Sequence, residues 1–159
     1  MKIRGMLYRR TKTGFTFVEI LLVIAAIGLM VAIVVPSLSA YMDRSRLVES
    51  TVQIGEMSKK ISQYERAKGA LPSDLDDLGL ENVLDPWGRP YEYYNIRTTT
   101  GKGKPRKDKK LKPINSDFDL YSLGRDGLSK PSLNDKDSRD DVVRAREGAF
   151  IGLAEEFDP

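Results

Sequence analysis

Residues 13–36 read TGFTFVEILLVIAAIGLMVAIVVP. Within them, positions 15–35 carry one charge, Glu19, and one hydroxyl, Thr16, in 21 residues. At about 1.5 Å per residue, a helix of this length spans the ~30 Å hydrocarbon core of a bilayer. A secretory signal is the competing reading. It needs only roughly 7–15 apolar residues and a small-residue cleavage site, for which Ser37-Leu38-Ser39 before Ala40 would serve. This run is longer and contains an acid, so a retained membrane helix is expected. Residues 1–13 hold five basic residues (Lys2, Arg4, Arg9, Arg10, Lys12) and no acid. Such a flank stays cytoplasmic and sends the C-terminal body across the membrane.

The helical period continues past Pro36. Leu47, Ile54 and Ile61 recur every seven residues, with Met57 and Tyr64 three after the last two, which makes one apolar stripe on an otherwise polar helix. Gly69 is the expected stop. Both halves together predict one helix of about 54 residues, or ~80 Å, kinked or loosened at Pro36, where a backbone bond is lost. Beyond it lie short elements. Leu71-Pro72-Ser73-Asp74-Leu75-Asp76 predicts a helix start with Ser73 as N-cap. Asp85-Pro86-Trp87-Gly88-Arg89-Pro90 is turn chemistry. Residues 91–96 and 118–123 alternate as paired strands, and 141–146 as a last strand. Residues 101–112, GKGKPRKDKKLK, with seven basic residues and one acid, are expected as an exposed hairpin tip, and 124–141 as a loop ending in acids.

Composition excludes much. The 159 residues suit one domain. There is no cysteine and no histidine, which removes disulfides, Cys/His zinc sites and thiol or Ser-His mechanisms. There is also no Walker A motif and no Gly-x-Ser-x-Gly. Adjacent acids at Asp76/Asp77 and Asp140/Asp141 read as loop charge, so no enzyme is expected. The formal charge is +3, but without residues 1–13 the chain has 21 basic and 23 acidic residues. The basic pI therefore belongs to the N-terminal segment and marks no nucleic-acid-binding body. The run at 101–112 has no aromatic for base stacking either.

Thr13-Gly14-Phe15-Thr16-Phe17-Val18-Glu19, behind a basic leader and before the apolar helix, resembles the class III signal of type IV pilins and type II secretion pseudopilins. Three further blocks, Leu71 to Leu75, Asp85-Pro86-Trp87-Gly88-Arg89-Pro90-Tyr91-Glu92-Tyr93 and Asp119-Leu120-Tyr121-Ser122-Leu123-Gly124-Arg125-Asp126-Gly127, resemble the major pseudopilins of type II secretion, the general secretion pathway protein G family. The resemblance implies a type IV pilin-like α+β fold: a long N-terminal helix, membrane half plus amphipathic half, packed against a small antiparallel sheet with a C-terminal loop region. It divides the chain into a leader (1–14), a membrane and filament-core helix (15–35) and a periplasmic globular domain (36–159). It implies cleavage between Gly14 and Phe15, N-methylation of Phe15, and assembly roles for Glu19 and Pro36.

A carboxylate near the end of a membrane helix is a functional candidate by default. Glu19 either pairs with the Phe15 amine of a neighbouring subunit, setting register, or snorkels to the interface. The family resemblance also implies calcium bound by the Leu123 carbonyl, the Asp126 carboxylate and Asp140 or Asp141. Calcium takes six to eight hard oxygens. The loop is longer than the family pattern, and Asp135-x-Asp137 is no EF-hand start, since Asp140 occupies the glycine position and Arg146 that of the closing glutamate. The implied partners are further copies of the chain in a helical filament, a prepilin peptidase and methyltransferase, minor pseudopilins, an inner-membrane assembly platform with its secretion ATPase, and an outer-membrane channel with its secreted proteins. The implied place is the bacterial inner membrane, single-pass. An extracellular type IV pilus subunit and a single-span periplasmic binding protein are the alternatives.

Overall fold

The structure, a computed structural model of the chain, describes residues 14–98 and 105–158. The expected leader, apart from Gly14, and residues 99–104 of the basic run lie outside the described residues. Two compact units divide between Tyr41 and Met42.

The first unit is the N-terminal part of α1 (Phe17–Lys68), in which no residue from 14 to 41 is buried. Thr16 and Glu19 cap its start reciprocally. Glu19 N–H donates to Thr16 Oγ1 (3.2 Å), while Thr16 N–H and Oγ1–H both donate to Glu19 Oε2 (2.8 and 2.9 Å). This is a capping box, which satisfies amides that a helix start leaves orphaned. α1 continues without a break through Pro36, and Ser37 Oγ–H donates to the Ile33 carbonyl at 3.1 Å. The loosening expected at the proline does not interrupt the helix.

The second unit holds the rest of α1 and a four-stranded antiparallel meander: β1 (Glu92–Asn95), β2 (Phe118–Ser122), β3 (Val142–Ala145) and β4 (Phe150–Leu153), in that spatial order. Most of the predicted stripe is buried: Ile54, Met57 and Ile61 pack with Leu71, Leu75, Leu80, Tyr91, Phe118, Leu120 and Val142, and Leu47 packs at the margin, whereas Tyr64 is half-buried and outside this core. Each fully buried side chain of this kind contributes about 1.5–3 kcal/mol relative to exposure. Tyr91 donates its hydroxyl proton to Gln53 Oε1 (2.5 Å) and Tyr93 to the Pro72 carbonyl (2.9 Å). α1 ends where expected: Gly69, at φ 78°, donates to Glu65 O.

The other sheet face is covered too. Ile114, Leu133, Val143, Ala145, Ala154 and Phe157 form a second core. Because neighbours on a strand face opposite ways, Val142 fills the first core and Val143 the second.

Three expectations are corrected. The element after Pro72 is a 3-10 turn, Leu75–Leu78, capped by Asp74 rather than Ser73. Asp74 accepts the Leu75 amide (2.6 Å), whereas Ser73 donates N–H and Oγ–H to Asp77 (2.8 and 2.7 Å). The third strand is not the last. Residues 146–148 turn back into β4 with φ values of 52°, 53° and 93°. Finally, the basic run is not simply an exposed tip. Arg106 and Asp108 are buried, and Lys107 pairs its backbone with Pro131 and Leu133.

Candidate functional site

The first candidate is the N-terminal segment. Gly14 and Phe15 precede the helix and are exposed, Phe15 by 84%. The 14–15 bond therefore sits before the first helical turn. Glu19 lies one turn further, its carboxylate held by Thr16. Pro36 lies in the exposed part of α1.

The second candidate is built by the turn blocks. Asp85 is buried and organises its own turn: Oδ1 accepts the Trp87 and Arg89 amides (3.0 and 2.9 Å) and Oδ2 accepts the Ser122 hydroxyl (2.5 Å). Arg89 then reaches the Gly124 carbonyl at 2.8 Å. The Asp-Pro-Trp-Gly block is thereby clipped onto the Ser-Leu-Gly-x-Asp-Gly block. Gly124 (φ 62°) and Gly127 (φ 72°) are required there, since a Cβ at the first would meet the Asp140 carbonyl oxygen at 2.1 Å and at the second the Arg89 guanidinium at 2.5 Å.

These contacts bring Asp140 against the 123–127 turn. Asp126 N–H donates to Asp140 Oδ2 (2.9 Å), Asp126 Oδ1 accepts the Leu128 amide (2.8 Å), and the Leu123 carbonyl accepts the Gly127 amide (3.2 Å). Asp141 is committed differently. It is fully buried, its Oδ2 is bound by Arg106 and Ser129, and its Oδ1 has no hydrogen-bond partner among the described residues. Burial outweighs the Arg106 charge and lifts this carboxyl to about 6. Asp135 and Asp137 of the longer loop pair with Lys130 at 3.2 and 2.9 Å. Among the described residues no three His, Cys, Asp or Glu side chains group to hold a metal. Leu123 O, Asp126 and Asp140 are hard oxygens of the type calcium takes, and each accepts an internal hydrogen bond.

Two buried arginines escaped the sequence reading. Arg144, on β3, donates Nη1–H and Nη2–H to the Asp117 carboxylate (2.9 and 2.7 Å), Nη1–H also to Phe118 O (2.9 Å), and Nε–H to Ser58 of α1 (3.0 Å). Burial pushes Asp117 up, but the bidentate Arg144 pair more than offsets this and holds it below the usual carboxylate range. Arg106 stacks over Tyr121 at 4.4 Å and also grips Ser129 and the Lys130 carbonyl. An arginine inside an apolar strand, Val-Val-Arg-Ala, with acids flanking the preceding strand, was the available signal for Arg144. For Arg106 the surrounding lysines hid it.

A long capped apolar helix joined to a small antiparallel meander, with clipped turn blocks, defines the class of type IV pilin-like subunits. The chain is 30% identical to the type II secretion system core protein G of Pseudomonas aeruginosa, over 81% of this chain and 94% of that protein. It is 29% identical to the protein of the same name from Xanthomonas campestris pv. campestris, over 81% and 90%, and 34% identical to the fimbrial protein EcpC of Eikenella corrodens over about half of each chain. The chain belongs to the type II secretion core protein G family. No family model matches the chain, and no solved structure matches it.

Proposed function

We propose that this chain is the major pseudopilin of a type II secretion system, stored as a single-pass inner-membrane protein and polymerised into a periplasmic filament that drives folded proteins through an outer-membrane channel. One observation carries the reading: 18 consecutive residues of α1 form a window of mean hydropathy 3.0 of which none is buried. Such a surface needs lipid before assembly and neighbouring helices after it. The core protein G relatives, matched over most of their length, select secretion over a surface pilus, since the fimbrial likeness covers only about half of each chain. No nucleotide-binding motif is present, so the energy comes from a separate cytoplasmic ATPase.

Cleavage after Gly14 would place a methylated Phe15 amine one turn from Glu19. Methylation keeps the positive charge, so Glu19 of one subunit can pair with the amine of another, exchanging its internal Thr16 hydrogen bonds for an intersubunit ion pair. Calcium would be held by Leu123 O, Asp126 and Asp140, where its charge would cross-link the two ends of the 124–141 loop. Deleting the gene tests the reading. Exoproteins should accumulate in the periplasm while surface fibres remain. Loss of surface fibres with normal secretion would favour the pilus instead.

A further inference from the structure

We propose that the lysine turn at 107–112 of one subunit docks by charge pairing on the acidic turn at 74–81 of the next copy of the chain. This contact rests on the filament reading above and assigns one of its interfaces.

The two patches are the extremes of the charge pattern. Residues 101–112 hold seven basic residues and one acid, while residues 69–88 hold five acids and no base. The one acid of the basic run does not neutralise its surface. Asp108 is buried, and its carboxylate accepts the Lys110 and Lys112 amides (both 2.8 Å). Its own N–H donates to Lys112 O (2.8 Å), and Lys107 bonds through its backbone to Pro131 and Leu133 (2.7 and 2.9 Å). Lys109, Lys110 and Lys112 are thereby held exposed on a fixed turn. Among the described residues Lys130 is the only lysine in an ion pair, so these three charges are uncompensated.

The acidic turn is fixed in a similar way. Asp77 accepts both Ser73 donors (2.8 and 2.7 Å), and Asp74 accepts the Leu75 amide (2.6 Å). These bonds orient the carboxylates without bringing a cation to them. Asp74, Asp76, Asp77 and Glu81 are all exposed, and none is ion-paired among the described residues. Other acids make poorer receivers. Asp135 and Asp137 are taken by Lys130, and Glu49 and Glu56 of α1 are interleaved with Arg44, Arg46, Lys59 and Lys60.

The fold keeps the two turns of one chain apart. Leu75 and Leu80 of the acidic turn pack into the first core with α1, whereas Ile114 and Leu133, beside the lysine turn, pack into the second. The sheet lies between them. A contact that joins two different patches is head-to-tail, the kind that propagates a filament when its rotation does not close. Opposite charges would steer the incoming subunit and fix its register.

Full-length chain co-produced with the assembly machinery tests this. Filaments are treated with a carbodiimide, which joins an amine to a carboxylate in contact with it. The expected product is a covalent ladder of subunits in which Lys109, Lys110 or Lys112 is linked to Asp76 or Glu81. Lys109→Glu with Lys110→Glu should lower filament yield about tenfold or more at an unchanged melting temperature, and so should Asp76→Lys with Glu81→Lys. All four reversals in one chain should restore most of the yield. Should reversal unfold a turn, the neutral pair Asp76→Asn with Glu81→Gln gives the same loss by a smaller step. Filaments linked only through other groups, or a fourfold variant no better than either parent, would overturn the contact and leave the filament reading intact. No filament from the wild-type chain would overturn both.

Discussion

Replacing Arg144 with methionine isolates the costliest polar arrangement in the globular unit. The guanidinium is 2% exposed and makes five hydrogen bonds, to Ser58, Asn115, Asp117 (two) and Phe118 O, while stacking 3.8 Å over the Phe118 ring. Methionine keeps much of the apolar stem but takes both guanidinium bonds and the counter-charge from the Asp117 carboxylate, leaving it the Phe118 amide, and takes a donor from the Phe118 carbonyl. Breaking a buried pair in this way costs about 3–5 kcal/mol, because a charge is left without compensation. With an m-value near ~2 kcal/mol per molar urea, the unfolding midpoint should fall by about 2 M. Trp87 is the only tryptophan, and it lies in this unit, so its fluorescence follows the transition in full-length chain in detergent without interference from the membrane helix. Adding Asp117→Asn to Arg144→Met removes the stranded charge and should recover about 1 kcal/mol or more. A loss below ~1 kcal/mol for Arg144→Met, or strictly additive losses in the double variant, would refute the reasoning.

Three further outcomes follow from the same geometry. Asp117 is held below the usual carboxylate range, so its contribution is present above the unfolded value and lost as pH falls through the folded one. Urea midpoints measured from pH 6 down to 2 should show Asp117→Asn flattening that acid limb. Gly124→Ala should destabilise more than Gly127→Ala in the same fluorescence assay, since the first collides with the Asp140 backbone and the second with an Arg89 side chain that can swing aside. Calcium should raise the melting temperature of the wild-type chain and chelation should lower it, with Asp126→Ala and Asp140→Ala abolishing the response. An equal response in those variants would move the ligands elsewhere.

The features legible in the sequence were those with a period or a block. A seven-residue apolar repeat announced the stripe of Ile54 and Ile61, and Gly69 announced the end of α1. The blocks at 85–93 and 119–127 gave strands and turns together, and in the fold the Ser122 hydroxyl joins them by donating to Asp85. What stayed hidden depended on tertiary partners. Strand β4 follows an Arg-Glu-Gly turn at positive φ, and no propensity marks Arg146 or Glu147 for it. Asn115 makes the turn possible by accepting the Glu147 amide (3.1 Å), and Ser116 by donating to the Glu147 carboxylate (3.0 Å from its amide), from a distant loop. Arg106 looked like one cation among seven until Asp141, Ser129 and Tyr121 surrounded it. Asp141, expected among possible calcium ligands, was spoken for by that same arginine.

The account stands on maturation at one peptide bond, and the mass of the N-terminal peptide from membrane-extracted protein reads it directly. The predicted result is a chain beginning at N-methyl-Phe15. A chain that retains residues 1–14, or one that begins at Ala40, would contradict it and reduce the apolar helix to an anchor or a discarded signal.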